Sequence, residues 1–202
     1  MASTSLDDLT PDTKRVAEQF IELAKARNID IKVVSTLRTC DEQNAIYAQG
    51  RSTPGSIISG ASGCRSWHTW GRAFDILIRD PDGLVTDGSD HRYDELGDIG
   101  KSLGMIWGGN FSWGRDAGHF EYHPGMTIDD VCPDKSPEAC SAQIAKHNAS
   151  YNPPVDPAVA PISYGEPKQD GFGLGHVVIS AIIGAVVFQA VSFGIQAAVK
   201  RK

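Results

Sequence analysis

Two short segments of the sequence combine histidines and carboxylates in a way that suits metal-assisted hydrolysis. Ser66–Asp75 has the sequence S-W-H-T-W-G-R-A-F-D, and Asp116–Glu121 has the sequence D-A-G-H-F-E. Together they offer His68, Asp75 and His119 as ligands for one metal ion. Imidazole and carboxylate ligands match Zn²⁺, and three protein ligands leave a position open for water, whereas a structural zinc site is usually closed by four. The pattern therefore predicts a catalytic zinc site.

Asp116 is the candidate general base of this site. It comes three residues before His119, and it would not itself be a ligand. A free carboxylate close to the metal can take a proton from the attacking water and deliver it to a leaving amine. The presence of one ligand aspartate and one free aspartate therefore favours hydrolysis of an amide bond.

Three further polar residues are candidates for contact with the substrate. Arg38 follows a predicted strand, where its guanidinium could hydrogen-bond a carbonyl and stabilise a developing oxyanion. Ser66 stands two residues before His68, and Gln43 lies on the next predicted helix, from which it would contact substrate or orient a ligand. Each of these residue types is also common at protein surfaces and helix ends.

The elements that must position these residues indicate an α+β domain with a small antiparallel sheet and flanking helices. Thr10-Pro11-Asp12 suits a helix start, and the apolar residues after it repeat at helical spacing. Segments rich in β-branched residues and bounded by turn residues predict strands. The predicted helices are Thr10–Arg27, Cys40–Ala48 and Tyr93–Leu103, and the predicted strands are Ile31–Leu37, Ala73–Ile78, Leu84–Val85 and Gly118–Tyr122.

Composition narrows the class of protein. The 202 residues allow one ordinary domain with appendages, and the net charge of −6 argues against a nucleic-acid partner. Four cysteines without C-x-x-C spacing argue against a thiolate zinc site. The three possible disulfide pairings are not separable by sequence, although Cys132 and Cys140 are close enough for a local loop, which would leave Cys40 with Cys64. Reduced, buried cysteines are an equal alternative.

The two ends of the chain differ sharply. The first 11 residues are polar and acidic, which predicts no secretory signal peptide. Val177–Val199 is apolar, lacks charged side chains and precedes Lys200-Arg201-Lys202. At about 1.5 Å per residue, a helix of this length would cross a hydrocarbon core of roughly 30 Å. The alternative is a hydrophobic helix that docks on the catalytic domain.

Five prolines between residues 152 and 170 predict an extended spacer. We therefore divide the chain into a zinc peptidase domain (residues 1–150), a proline-rich linker (151–170) and a hydrophobic, membrane-seeking tail (171–202).

Three ordered motifs resemble a known family, the zinc D-Ala-D-Ala carboxypeptidases and L-alanyl-D-glutamate endopeptidases that act on bacterial peptidoglycan and include phage endolysins. The family's S-x-H-x-x-G-x-A-x-D motif is complete at Ser66–Asp75, and D-x-x-H-F-E is complete at Asp116–Glu121. The segment around Arg38 and the segment Leu103–Gly109 are similar to the family's stretches at those places. The resemblance covers roughly residues 10 to 125.

The resemblance implies a role for each matched position. His68, Asp75 and His119 would bind one Zn²⁺, Asp116 would be the catalytic base, Arg38 would stabilise the transition state, and Ser66 would contact substrate. Aspartate rather than glutamate at position 116 is typical of the endopeptidase branch. The implied activity is cleavage of the L-Ala–D-Glu bond in the peptidoglycan stem peptide, with D-alanyl-D-alanine carboxypeptidase as the alternative. Asn110 and Phe111 replace the family's usual acidic residue and tryptophan.

Two other classes of function are considered. The same fold occurs in binding modules that have lost catalysis, but retention of Asp116 and Arg38 argues against such a loss. The second class is a protein whose tail permeabilises membranes and whose domain delivers that tail to the cell wall. The expected location is the cell envelope or membrane, with the C-terminal basic residues on the cytoplasmic side. A phage-encoded enzyme would instead wait in the host cytoplasm before lysis.

Overall fold

Residues 2–150 are described by a computed structural model, and they form the predicted α+β fold. The linker and the apolar tail predicted at 151–170 and 171–202 lie outside these residues. Within residues 2–150, no helix is both long and apolar enough to cross a membrane. The helices are α1 (Pro11–Ala26), α2 (Cys40–Ala48), α3 (Arg92–Ser102), α4 (Ile128–Val131) and α5 (Pro137–Ser150), and the strands are β1 (Ile31–Ser35), β2 (Ala73–Asp80), β3 (Gly83–Val85), β4 (Ile106–Trp107) and β5 (His119–Glu121).

One antiparallel sheet organises this part of the chain. Its strand order is β1-β2-β5-β4, and β3 pairs with the far end of β2 through a tight hairpin. In the register of the sheet, Ser35 and His119 lie opposite Asp75 on its two sides. The central strand β2 therefore brings the end of β1 and the start of β5 to one point, as the sequence analysis requires of a site built on the sheet.

Alternation along the strands separates a core face from a site face. Successive side chains of a strand point to opposite faces. Phe74, Ile76 and Ile78 are fully buried in the main hydrophobic cluster with residues of α1 and α3, and Phe120 of β5 joins them. Asp75 and its partners across the sheet consequently project from the opposite face. The polar side chains of the site therefore lie next to the hydrophobic core but outside it.

A helix cap fixes the start of α2, which follows β1 in the chain. Thr39 begins α2 with a capping box: its hydroxyl accepts a hydrogen bond from the Glu42 amide at 3.2 Å, and the Glu42 carboxylate accepts one from the Thr39 amide at 2.9 Å. Such reciprocal caps stabilise a helix start by about 1 kcal/mol. Because Thr39 follows Arg38 directly, the cap also restrains the backbone that carries this arginine.

A second cluster of buried residues packs around the segment that carries His68. Disulfides join Cys40 to Cys64 and Cys132 to Cys140, and both pairs pack with Trp67 and Trp70. The pairing is one of the three left open by the sequence. The Cys40–Cys64 bond connects the start of α2 to the segment that precedes Ser66, so two of the predicted site segments are covalently linked.

The predicted elements agree with the structure to within a few residues at their ends. The sequence analysis missed β4, α4 and α5. The structure also places His68 in a short 3-10 helix, Trp67–Trp70. Gly71 ends this helix with φ of 65°, and a Cβ there would lie 3.2 Å from the carbonyl oxygen of Asp8. Glycine therefore suits both the turn and the contact.

Candidate metal centre

His68, Asp75 and His119 come together on the site face of the sheet. One ligand atom from each lies within 4.8 Å of the other two. His68 reaches the site from the 3-10 helix before β2, whereas Asp75 and His119 are direct partners across β2 and β5. Both histidines are buried and the carboxylate is partly buried. The structure thus assembles the predicted set of ligands.

Hydrogen bonds on the outer side of each imidazole select its tautomer. Nδ1 of His68 lies 2.6 Å from the carbonyl oxygen of Thr36, and Nε2 of His119 lies 2.9 Å from a carboxylate oxygen of Glu121. Because both partners only accept, these nitrogens carry the protons. Nε2 of His68 and Nδ1 of His119 therefore face the centre, as in metal sites whose ligand histidines are held by carbonyl and carboxylate partners.

The spacing of the inner atoms fits a small tetrahedral ion. Nε2 of His68 is 3.3 Å from Nδ1 of His119 and 3.2 Å from Oδ1 of Asp75. Two nitrogens at the usual zinc distance of about 2.0–2.1 Å would lie roughly 3.3 Å apart in tetrahedral geometry. The side chains present therefore fit a Zn²⁺ ion, with donor types that match that metal.

Without a metal, the contacts of His119 with Asp75 and Glu121 favour its protonated form. Burial alone would lower the pKa of His119, but hydrogen bonds to Asp75 and Glu121 raise it to about 10. Burial alone would raise the pKa of Asp75, but the adjacent His68 and His119 hold it well below its usual range. A metal ion would replace the proton that Nδ1 of His119 otherwise holds toward Asp75, while the Nε2 proton stays hydrogen-bonded to Glu121.

Asp116 lies in the cleft beside this centre without joining the ligand set. Its backbone amide donates to the carbonyl of Gly108 at 3.0 Å, and its own carbonyl accepts from the amide of His119 at 3.2 Å. A Cβ at Gly108 would lie 2.6 Å from the Asp116 carbonyl oxygen, so this approach requires glycine. Burial raises the pKa of the Asp116 carboxyl. These are the surroundings expected of a carboxylate that takes and returns a proton.

Arg38 is held over the ligand carboxylate by three contacts. Its Nη2 pairs with Asp75, its Nε donates to the Ser35 hydroxyl at 3.1 Å, and its Nη1 donates to Oε1 of Gln43 at 3.2 Å. Gln43 is fully buried and anchors its amide on Ser59 and Ala61 at 2.9 and 2.8 Å. The structure therefore places Gln43 behind Arg38, while Arg38 itself faces the cleft.

The site opens into a cleft of about 1060 Å³. Ser66 lies on its wall, where its hydroxyl accepts from the amide of His68 at 3.3 Å. The cleft is also lined by Arg38, Asp116, Ile57, Ile58, Phe111 and Trp113. All of the predicted site residues except Gln43 thus border one continuous space.

His123 supports the site from behind Glu121. The sequence allows this histidine either a place behind the ligands or a solvent-facing one and favours the latter, but the side chain is only 10% exposed. Its ring stacks on Trp67 with centroids 4.0 Å apart, and its Nε2 lies 3.2 Å from the second carboxylate oxygen of Glu121. The spacing of two residues from Glu121 on an extended segment was the available signal, because it places both side chains on one face.

Comparison with known proteins agrees with this geometry. The family model described as D-alanyl-D-alanine carboxypeptidase matches residues 59–122, which include all three candidate ligands. The peptidoglycan L-alanyl-D-glutamate endopeptidase CwlK of Bacillus subtilis (strain 168) is 32% identical over 127 residues, covering 58% of this chain and 75% of the relative. The L-alanyl-D-glutamate peptidase of Listeria phage A118 is 28% identical over 123 residues, covering 59% of this chain and 40% of the phage protein.

Solved structures of similar proteins share less sequence. The Serratia marcescens L-Ala D-Glu endopeptidase ChiX superposes with a TM-score of 0.44 at 19% identity, covering 61% of this chain and 90% of that one. The vancomycin resistance D,D-pentapeptidase VanY, solved in complex with Zn(II), gives 0.44 at 15% identity, with 60% and 82% covered. The identity to the Bacillus relative and the share of it that is covered are sufficient to establish the family. The chain belongs to the D-alanyl-D-alanine carboxypeptidase family of metallopeptidases.

Proposed function

We propose that this chain is a zinc-dependent peptidoglycan peptidase that cleaves the L-alanyl–D-glutamate bond of the stem peptide. The observation that carries the proposal is the pairing of a three-ligand centre with a separate, partly buried carboxylate, Asp116, in one cleft. A structural metal site has no need for such a base. The two curated relatives named above, both L-alanyl-D-glutamate peptidases, support the choice of bond.

His68, Asp75 and His119 are the proposed zinc ligands. Bound there, zinc supplies a Lewis acid that polarises a carbonyl and acidifies water. Glu121 fixes the orientation of His119 through the 2.9 Å hydrogen bond to its Nε2. The carbonyl of Thr36 does the same for His68 at 2.6 Å. Both ligands are therefore preorganised before substrate enters.

Asp116 is the proposed general base and, later in the reaction, the general acid. Burial raises the pKa of Asp116, which makes it a better proton acceptor than an ordinary surface carboxylate. It would take a proton from the attacking water. It would then give that proton to the amino group of D-glutamate as the amide bond breaks.

Arg38 is the proposed stabiliser of negative charge on the substrate oxygen. A guanidinium has five N–H groups, and Ser35, Gln43 and Asp75 engage three of them. The remaining two are available to a substrate oxygen in the cleft. Gln43 is then a positioning residue that acts through Arg38, and Ser66 keeps its hydroxyl proton for a substrate carbonyl.

The test is digestion of purified peptidoglycan by the zinc-loaded full chain, with the Asp116→Asn variant as the matched control and mass spectrometry of the released fragments. New amino-terminal D-glutamate, formed only with the parent enzyme, is the expected result. Release of free D-alanine would assign the chain to the carboxypeptidase activity for which the family model is named. Intact peptidoglycan after treatment with the folded, zinc-bearing chain would contradict the proposal and favour a wall-binding module.

We further propose an endolysin-like role at the cell envelope, in which the apolar segment 171–202 brings the enzyme to a membrane. The support is the uncharged stretch that precedes the three basic terminal residues. Deletion of residues 171–202 is expected to leave hydrolysis of isolated peptidoglycan unchanged and to reduce lysis of intact cells treated from outside. Equal lysis by both forms would remove the membrane role.

A further inference from the structure

The mouth of the cleft carries an unusual share of exposed apolar surface. Five large hydrophobic side chains are exposed in residues 2–150, and three of them, Ile57, Ile58 and Trp113, line this cleft. Trp113 is 54% exposed, the second-highest value of the five. Apolar side chains that gather at the rim of a polar site indicate a binding surface. The catalytic roles proposed above do not use any of the three.

A row of aromatic rings connects this rim to the metal centre. The ring of Phe111 lies 5.6 Å from that of His119, and the ring of Trp113 lies a further 5.6 Å from Phe111 with an interplanar angle of 27°. Trp113 also packs on Gly60, where a Cβ would lie 3.1 Å from the indole Cε2. The indole is therefore held between two loops while much of it stays open to solvent.

We propose that Trp113 is a sugar-binding platform that takes an N-acetylated amino sugar of the glycan strand. The inference rests on the proposed function and extends it from the bond cleaved to the part of the substrate beyond it. In peptidoglycan, L-alanine is attached to the lactyl group of N-acetylmuramic acid. L-Alanine and the lactyl group together span about two residue lengths of roughly 3.3–3.6 Å each. The sugar therefore begins roughly 7 Å from the carbonyl of the bond that is cleaved. Two centroid distances of 5.6 Å put the ring of Trp113 at most about 11 Å from that of His119, so a pyranose that begins roughly 7 Å from the carbonyl and extends outward along the cleft would reach it.

The chemistry of the platform suits a sugar better than a peptide. A pyranose ring has one face of C–H groups that packs on an indole, and its hydroxyl and acetamido groups stay in water at an open rim. Ile57 and Ile58 offer further apolar area along the same cleft for the methyl groups of the acetamido and lactyl substituents. Trp113 would thus bind the glycan while the zinc site cleaves the stem.

The first experiment compares two substrates with the zinc-loaded full chain. One is a disaccharide stem peptide, and the other is the same peptide with its L-alanine acetylated instead of attached to sugar. Trp113→Ala is expected to lower kcat/KM for the disaccharide peptide about five- to tenfold and to leave the sugar-free peptide within about twofold. Trp113→Tyr, which keeps an aromatic face, should restore most of the difference. Leu84→Ala, an exposed position outside the cleft, is the matched control.

If Trp113→Ala lowered kcat/KM equally for both substrates, or for neither, the sugar site would be overturned. The proposed peptidase activity would not be affected by that result. A second measurement is independent of catalysis. The other three tryptophans, Trp67, Trp70 and Trp107, are at most 6% exposed, but Trp67 also borders the cleft. Comparison with Trp113→Ala therefore isolates the change of fluorescence that comes from Trp113 on titration with the GlcNAc–MurNAc disaccharide. A saturable change that Trp113→Ala abolishes supports the platform even if no bond is cleaved, in which case only the proposed function fails. Absence of any saturable change in the parent overturns the platform.

Discussion

Asp75 lies directly opposite His119 in the antiparallel pairing of β2 and β5, and its Oδ1 is 2.8 Å from Nδ1 of His119. Directly opposed residues on one face of a sheet have Cβ atoms about 5 Å apart, which suits two ligands of one ion. The register of the sheet thus sets two of the three candidate ligand positions. His68 adds the third from the short helix that leads into β2.

Zinc uptake by the metal-free chain should release about one proton at pH 8. The proton is the one that His119 retains because Asp75 and Glu121 raise its pKa to about 10. Isothermal titration calorimetry in buffers with different ionisation enthalpies measures this number. His91→Ala, which removes an exposed histidine away from the site, is expected to give the same value. Heats that do not depend on the buffer would contradict the protonated state of His119.

The metal-free chain should lose stability as the pH rises from about 7 to 10. The pKa of His119 is raised in the folded protein from 6.5 to about 10. Its contribution to the free energy of unfolding is therefore complete below pH 6.5 and is lost as the pH passes through about 10. Denaturant unfolding at several pH values checks this. With zinc bound, the free energy of unfolding should depend less on pH, because the ion takes the place of the proton on His119. The same dependence on pH in the metal-free and zinc-bound forms would contradict this explanation.

Glu121→Gln should weaken zinc binding by about 10- to 100-fold. The amide can still accept the hydrogen bond from His119, but it removes the negative charge that holds the imidazole in its ligand orientation. Competition with a chromophoric chelator measures the affinity. Glu95→Gln on α3 makes the same chemical change at a more exposed position and should have no effect. Equal zinc affinity in the Glu121 variant and the parent would show that the contact is not needed for metal binding.

Asp116→Asn should lower kcat by about 10²- to 10⁴-fold while leaving zinc affinity unchanged. An amide fills the same space but cannot accept the proton. Because burial raises the pKa of Asp116 and a base acts only when ionised, the acidic limb of kcat/KM should lie above the ordinary carboxyl value of 3.8. The pH profile of the parent checks this. Asp98→Asn, at an exposed position on α3, is the control and should retain full activity.

Gln43→Leu should lower the free energy of unfolding by about 1–3 kcal/mol, since it leaves the buried partners of the amide unsatisfied. Those partners are Arg38, Ser59 and Ala61. Activity should fall further than zinc affinity, because Arg38 loses one of its three restraints. Chemical denaturation measures the loss of stability. Chelator competition and digestion of peptidoglycan on the same preparation then compare zinc affinity with activity. A variant of parental stability and activity would contradict the positioning role.

The ligand positions could be predicted from sequence because their residue types, order and spacing are specific. His68, Asp75 and His119 are few enough and chemically distinct enough to indicate one centre. The position of Gln43 could not be predicted in the same way, since an amide on a helix beside the site looks equally suited to the substrate or to the interior. Its full burial depends on the loop that supplies Ser59 and Ala61, which no local pattern reveals.

The missed elements are short or weakly patterned. The two residues of β4, Ile106–Trp107, are too few to show alternation, and they form a strand only because β5 lies beside them. For His123, the sequence favours a solvent-facing position over one behind the ligands. Its burial comes from Trp67, which stands more than fifty residues earlier and stacks on the imidazole. In both cases contacts distant in sequence decide the local structure.

The bond between Cys40 and Cys64 closes a covalent ring around residues 41–63, which include Ile57, Ile58 and Gly60. A single cut by a protease anywhere inside this ring leaves the two resulting pieces attached to each other. A nicked molecule should therefore migrate as one chain on a non-reducing gel and as two fragments after reduction. An enzyme proposed to work among the proteases of a lysed cell would thus keep the exposed segment that carries Ile57 and Ile58 attached after a single cut.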